Sequence, residues 1–289
     1  MTGKRSPYRR WWPFGLLCGV LLLRWFAADA VPAVGPSLWS LAVGSFTAWL
    51  IATLLALRAE GRAPGKHEAL QSVLAGVCLC TGPLLQGLSA SVLAEPASIT
   101  ISMALIPVVV AVARPAFHRG EGAELAGRLW PGIAAIAGLL LLLPEPGLED
   151  WHRNLAWLMM PVGTGVGAVW LRTAGGAAIW KASFALGACW VLFSCAAVLR
   201  HTSYGHVTLL ASIFEAIIFG LSVLALLRVG ATRWASQYVL VPLLVVLESL
   251  MTARPALDVR AIAGVLLLAV ASLFLLLPPR VEHEGEALP

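Results

Sequence analysis

The chain has 289 residues, of which 59% are hydrophobic and 12% charged, against roughly 45–50% and 25% in a soluble domain. Its mean hydropathy of +0.85 runs over the whole length with no polar half to balance an apolar one, which excludes a soluble protein and a soluble domain on a single anchor. A helix needs roughly 20 residues to cross a bilayer. The length therefore accommodates about ten crossings joined by short loops, with little left for a folded domain outside the membrane.

In chain order the apolar runs fall near 11–31, 37–57, 69–94, 96–113, 129–144, 154–171, 182–199, 207–227, 234–253 and 261–278. The pattern predicts helices. Barrel strands alternate in polarity, whereas Leu139 to Leu143 has no polar face. The fifth run is short for a crossing, which moves its start toward Ala126. Lys4 to Arg10, the apolar run after them and Ala28-Asp29-Ala30 have the parts of a cleaved signal peptide. Nine further spans and the repeat described below favour an uncleaved first span. Cys18, Cys78, Cys80, Cys189 and Cys195 all lie in apolar runs and read as small packing residues, with no disulfide framework or metal site expected.

With the N-terminus inside, 15 of the 20 basic residues fall at cytoplasmic ends. Arg24, Arg153, Arg200, Arg254 and Arg260 lie on or nearest the outer side. This asymmetry predicts an even number of spans with both termini in the cytoplasm of a bacterial-type inner membrane. The net charge of +5 then faces anionic lipid, and no nucleic-acid partner is implied. Trp11, Trp12, Trp130, Trp180 and Trp234 at inner ends and Trp25, Trp39 and Trp151 near outer ones form the expected aromatic belts.

The fourth and fifth runs read Ile106-Pro107, Gly120-Glu121 and Pro131-Gly132 through Gly138 into leucines. The ninth and tenth read Val241-Pro242, Asp258 and Ala263-Gly264 into leucines. Pro107 pairs with Pro242 and Gly132 with Gly264, at offsets of 135 and 132. An odd-numbered five-span unit, copied, must re-enter the membrane inverted. The expected fold is an all-α membrane protein of ten transmembrane helices in two inverted five-helix repeats, residues 1–147 and 148–289, an architecture common to secondary transporters. Pro107 cannot bond the carbonyl of Met103, nor Pro242 that of Tyr238, so each leaves an acceptor for a substrate, water or side chain.

Ten spans in this length, Pro107 with Gly120-Glu121 and Gly132 to Gly138, and the Tyr238 to Gly264 counterpart resemble the EamA-type members of the drug/metabolite transporter superfamily. The resemblance covers essentially the whole chain. It implies an exporter of amino acids, other metabolites or amphipathic drugs, with a central cavity lined from both halves. Where the family usually carries a second Gly-Glu, this chain has Ala253-Arg254-Pro255.

Three charges lie well inside apolar runs: Arg24, Glu215 and Glu248. Burying ionisable groups in a bilayer is costly, so each is a functional candidate. At about 1.5 Å per residue they lie roughly 20, 18 and 21 Å from the inner ends of their spans and reach one level. Glu215 would hold a cationic or zwitterionic group or exchange a proton, and Arg24 would take a carboxylate. The structural alternatives are an Arg–Glu pair locking helices together and an Arg24 that snorkels beside Trp25. Tyr238 and Gln86 complete the candidate binding set, with Pro107 and Pro242 as helix-break positions. Gln86 and Gln237 could equally hydrogen-bond between helices.

Other motifs fail on inspection. Gly61 to His67 has the wrong spacing for a phosphate loop, and Gly163, Gly165 and Gly167 read as a close helix contact. All six histidines fall in loops or at span ends, which leaves no catalytic or metal-binding set. Glu145, Glu149, Asp150 and His152 share one short loop and read as a solvated connection. The sequence thus predicts a non-enzymatic secondary transporter, working by alternating access on a small-molecule substrate without a cofactor. A homodimer is left open, and a membrane-embedded enzyme or a non-transporting membrane subunit stands as the alternative.

Overall fold

The computed structural model describes residues 8–30, 37–59, 64–89, 96–117, 125–142, 151–201, 209–253 and 258–277. Gly120-Glu121, Arg254-Pro255, the acidic residues Glu145, Glu149 and Asp150, and the junction between residues 147 and 148 lie outside them. Every element among the described residues is helical. Hydrocarbon offers a backbone no hydrogen-bond partner, and a helix satisfies its own. The elements are α1 (Tyr8–Ala30), α2 (Leu38–Arg58), α3 (Lys66–Leu79), α4 (Thr81–Ser89), α5 (Pro96–Ala104), α6 (Ile106–Phe117) and α7 (Leu125–Leu142). There follow α8 (Trp151–Thr173), α9 (Ala178–Leu199), α10 (Leu209–Val229), α11 (Ala231–Ala235), α12 (Gln237–Ala253) and α13 (Val259–Leu276).

Seven stretches are long and apolar enough to cross a membrane: Leu38–Arg58, Lys66–Leu88, Ile99–Phe117, Ala178–Leu199, Ser212–Val229, Ala231–Thr252 and Val259–Leu276. The protein is a multi-pass membrane protein. Shorter apolar stretches, Pro13–Phe26 and Leu129–Leu142, lie in α1 and α7. The start of α7 at Leu125 agrees with the expected shift toward Ala126.

Three of the expected runs are broken in two, at Cys80, Leu105 and Ser236. Two of the breaks sit just ahead of a proline. Pro83 and Pro107 are the third and second residues of α4 and α6, within the first turn, where a missing N–H costs nothing because the first helical donors have no intrahelical acceptor. Pro107 therefore opens a helix instead of kinking one. The chain stays bonded across this break, since the Leu105 amide donates to Ser102 (3.0 Å) and its carbonyl accepts from Val109 (3.0 Å). Pro242, by contrast, lies inside α12. At the break before it the ladder tightens to three-residue spacing, the Ser236 amide donating to the Arg233 carbonyl at 3.1 Å and the Val239 amide to that of Ser236 at 3.0 Å, while Gly230, with a φ of +96° that suits glycine at low cost, starts the one-turn helix α11.

Helix pairs meet where small residues let backbones approach, as expected when lipid removes the hydrophobic drive for helix association. The partners are α2 with α9, α7 with α13, α10 with α2 and α1, α3 with α8 and α9, α6 with α7 and α8, and α12 with α1 and α13. At the α7–α13 crossing a Cβ on Gly138 would stand 2.9 Å from the Gly264 carbonyl oxygen, and one on Gly264 would stand 2.9 Å from that of Gly138. Gly264 thus meets Gly138, while Gly132 packs on Val108. Cations cap one end of the assembly. Lys181 donates to the carbonyls of Arg172 and Ala174 at the end of α8, and Arg172 to that of Leu227 near the end of α10. Positive charge is favourable at a helix C-terminus.

The glycine crossing is testable. Gly138→Val should force α7 and α13 apart and lower stability by about 1–3 kcal/mol, read as a lower thermal midpoint in detergent. Gly19→Ala, with nothing within 4 Å of the added Cβ, should leave the midpoint unchanged or raised.

Candidate functional site

Packing of α1 against α10 and α12 gathers most of the intramembrane charge. The Arg24 guanidinium lies over the Tyr238 ring, 5.2 Å from its centroid, in a cation–π geometry that partly replaces lost hydration. One residue along α1, the Trp25 indole N–H donates to Glu248 Oε2 at 2.7 Å. Glu215 stands close enough to Arg24 for their charges to interact, yet no ion pair joins Arg24 to Glu215 or Glu248 among the described residues. The Arg–Glu lock raised by the sequence is absent from this set. Glu215 is held by its stem, its Cβ lying 2.7 Å from where a Cβ on Gly44 of α2 would be.

The remaining candidates fall elsewhere. Gln86 is half-buried on α4 and has an interaction of its own. The neighbours of α4 are α8, α2, α9 and α3, so it is set apart from the Arg24 group. Pro107 is buried at the head of α6, and Pro242 is half-buried in α12. Among the described residues no group of three or more His, Cys, Asp or Glu is placed to hold a metal ion.

Two further polar residues belong here: Gln237, which the sequence offered for substrate binding or for a helix-to-helix hydrogen bond, and Ser212, which it did not single out. Of seven buried side-chain N and O atoms without a hydrogen-bond partner among the described residues, four lie on α1, α10 and α12: Arg24 Nε, Ser212 Oγ, and Nε2 and Oε1 of Gln237. Each such atom costs about 1–3 kcal/mol relative to a bonded one. Ser212 precedes Glu215 by one helical turn and so shares its face. Burial of Gln237 was legible from its place in an apolar run, but the lack of a partner was not.

A different chemistry marks α8, α3–α4 and α5–α6. The Gly82 amide donates to Thr164 Oγ1 at 3.3 Å. A Cβ on Gly163 would fall 2.1 Å from Thr81 Oγ1, and one on Gly167 would fall 2.4 Å from the Leu79 nitrogen. These helices touch through glycine and leave no space for a ligand at those points.

No family model matches the chain, and no curated protein does. Among solved structures, one described only as the crystal structure of a protein superposes with a TM-score of 0.68. The match covers 90% of this chain and 96% of that one, at 17% identity. At that identity the likeness is one of fold alone, and it extends over nearly the whole length of both chains.

The Trp25–Glu248 bond links α1 to α12, and a double-mutant cycle measures it. Trp25→Phe and Glu248→Leu, each of which removes the bond, should together cost less than the sum of their separate effects by about 1–2 kcal/mol. Strict additivity would mean that the two side chains do not interact in solution.

Proposed function

We propose that the protein is a secondary transporter of the cytoplasmic membrane, an EamA-type exporter of small metabolites or amphipathic compounds. It has ten spans in two inverted five-helix repeats and both termini in the cytoplasm. The observation that carries this reading is the contrast between two flanks. One, α1, α10 and α11–α12, gathers Arg24, Glu215, Glu248 and five unpartnered polar atoms among the described residues, Arg233 Nε on α11 being the fifth. The other, α8, α3–α4 and α5–α6, closes through glycines.

The repeat relates those flanks. Exchange α1 with α8, α2 with α9, α3–α4 with α10, α5–α6 with α11–α12, and α7 with α13. The pairs α2–α9 and α7–α13 map onto themselves, and the pair α3–α9 maps onto α10–α2. Likewise α3–α8 maps onto α10–α1, α6–α8 onto α12–α1, and α6–α7 onto α12–α13. Individual contacts follow suit. Gly138 meets Leu268 while Gly264 meets Leu142, both pairs of equivalents lying 126 positions apart. Gly76 meets Ala185 and Gly44 meets Ala216, with equivalents 140 and 141 apart. This exchange supports a two-fold axis in the membrane plane, the symmetry that lets a transporter open to either side by rocking one repeat against the other.

In this mechanism Arg24, unpaired by any acid among the described residues, takes the carboxylate of the substrate. Glu215 holds a cationic group or exchanges a proton with it. The decisive experiment is transport in proteoliposomes at several pH values. Glu215→Gln should slow transport by about tenfold or more, the equivalent of a lost charge-assisted hydrogen bond, and flatten its pH dependence. Unchanged rate and unchanged pH profile would remove Glu215 from the mechanism.

A further inference from the structure

Gln237 is 0% exposed, and neither oxygen nor nitrogen of its carboxamide has a hydrogen-bond partner among the described residues. It is the first residue of α12, directly after the break at Ser236. Of the polar side chains just before it, Ser236 and Trp234 are already engaged, whereas Arg233 Nε also lacks a partner among the described residues. The Ser236 hydroxyl donates to the Arg233 carbonyl at 2.6 Å, and the Trp234 indole donates to Ser222 Oγ at 2.9 Å.

Helical spacing puts Gln237, Val241, Leu244 and Glu248 on one face of α12, with successive members four, three and four residues apart. Val241, Leu244 and Glu248 are half-buried, and burial becomes complete at Gln237. The outer member, Glu248, meets Trp25 of α1. The face is therefore polar at both ends and apolar between them, with burial complete at the glutamine.

A carboxamide offers one acceptor and two donor hydrogens. Only a group that both donates and accepts meets both needs. A quaternary ammonium or phosphonium ion does neither, and a site that has to hydrogen-bond its ligand discriminates strongly against one that cannot reciprocate. We propose that Gln237 is a ligand-binding group at the buried end of this face. It takes water when no substrate is bound, and in its place a neutral donor–acceptor group of the substrate, such as a hydroxyl or a carboxamide. The water part stands by itself; the substrate part rests on the transport reading above.

Two measurements test it. In protein freed of its native cysteines and shown monodisperse, Gln237→Cys should react with the hydrophilic thiol reagent 2-aminoethyl methanethiosulfonate. Val239→Cys should not, since Val239 is also 0% exposed but packs into the α7–α13 core. Equal inertness of the two would overturn the proposal. Should the cysteine-free protein not fold, Gln237→Leu in the native background carries the same test. It should raise the thermal midpoint, and a fall would expose a structural partner and overturn the proposal. For the substrate part the probe is tetraphenylphosphonium, which proteoliposomes of the wild type should not accumulate. Accumulation undiminished in Gln237→Leu would overturn the stated substrate class, whereas a labelled Gln237→Cys in a protein that moves no solute would overturn the transport reading and leave the hydrated site standing.

Discussion

A hydrocarbon solvent supplies no hydrogen bonds, so each polar group of this chain has to be satisfied from within it. The helices follow from that. So do the small hydroxyl side chains, which turn back onto their own helices: Ser45 to Leu41 at 2.7 Å, Thr47 to Val43 at 2.9 Å and Ser72 to Glu68 at 2.9 Å. Two of the three breaks are placed where proline loses no bond, ahead of Pro83 and Pro107. Against so consistent a rule the exceptions stand out, and those on α1, α10 and α12 gather around the in-span charges.

The same solvent removes the hydrophobic drive between helices, leaving close packing to hold them. Glycine does this at Gly138–Gly264, at Gly76 on Ala185 and at Gly163 on Thr81. The flank built of α8, α3–α4 and α5–α6 is held in this way. On its counterpart the contacts are longer side chains, Arg24 on Tyr238 and Trp25 on Glu248, which tolerate a change of separation that backbone-to-backbone contacts do not. The two flanks thus differ in the kind of contact that holds them.

Sequence made the fold legible because the signal for a span is composition over about 20 residues, a local quantity. The ten apolar runs match the helices, including the start of α7. The breaks were less legible. Pro107 reads in sequence as an interruption of one helix, and only its position in the first turn of α6 makes it the start of another. Pairing Gly132 with Gly264 matched residue type, whereas the contact across the α7–α13 crossing selects Gly138. In the site, Arg24, Glu215 and Glu248 were visible as charges in apolar surroundings. The partner of Glu248 is an indole 223 positions away, and nothing local signals such a contact.

Arg24 and Trp25 are consecutive, yet both reach α12, at Tyr238 and at Glu248, about 15 Å apart along that helix at its usual rise. Two grips so far apart on one partner tie α1 to α12 along much of that helix. Glu215 is placed by α10, which packs on both α1 and α2, and its stem is wedged against Gly44 of α2. A motion that parted α10 from α1 would lengthen the distance between Arg24 and Glu215. The energy of their interaction varies inversely with that distance and rises as water is excluded.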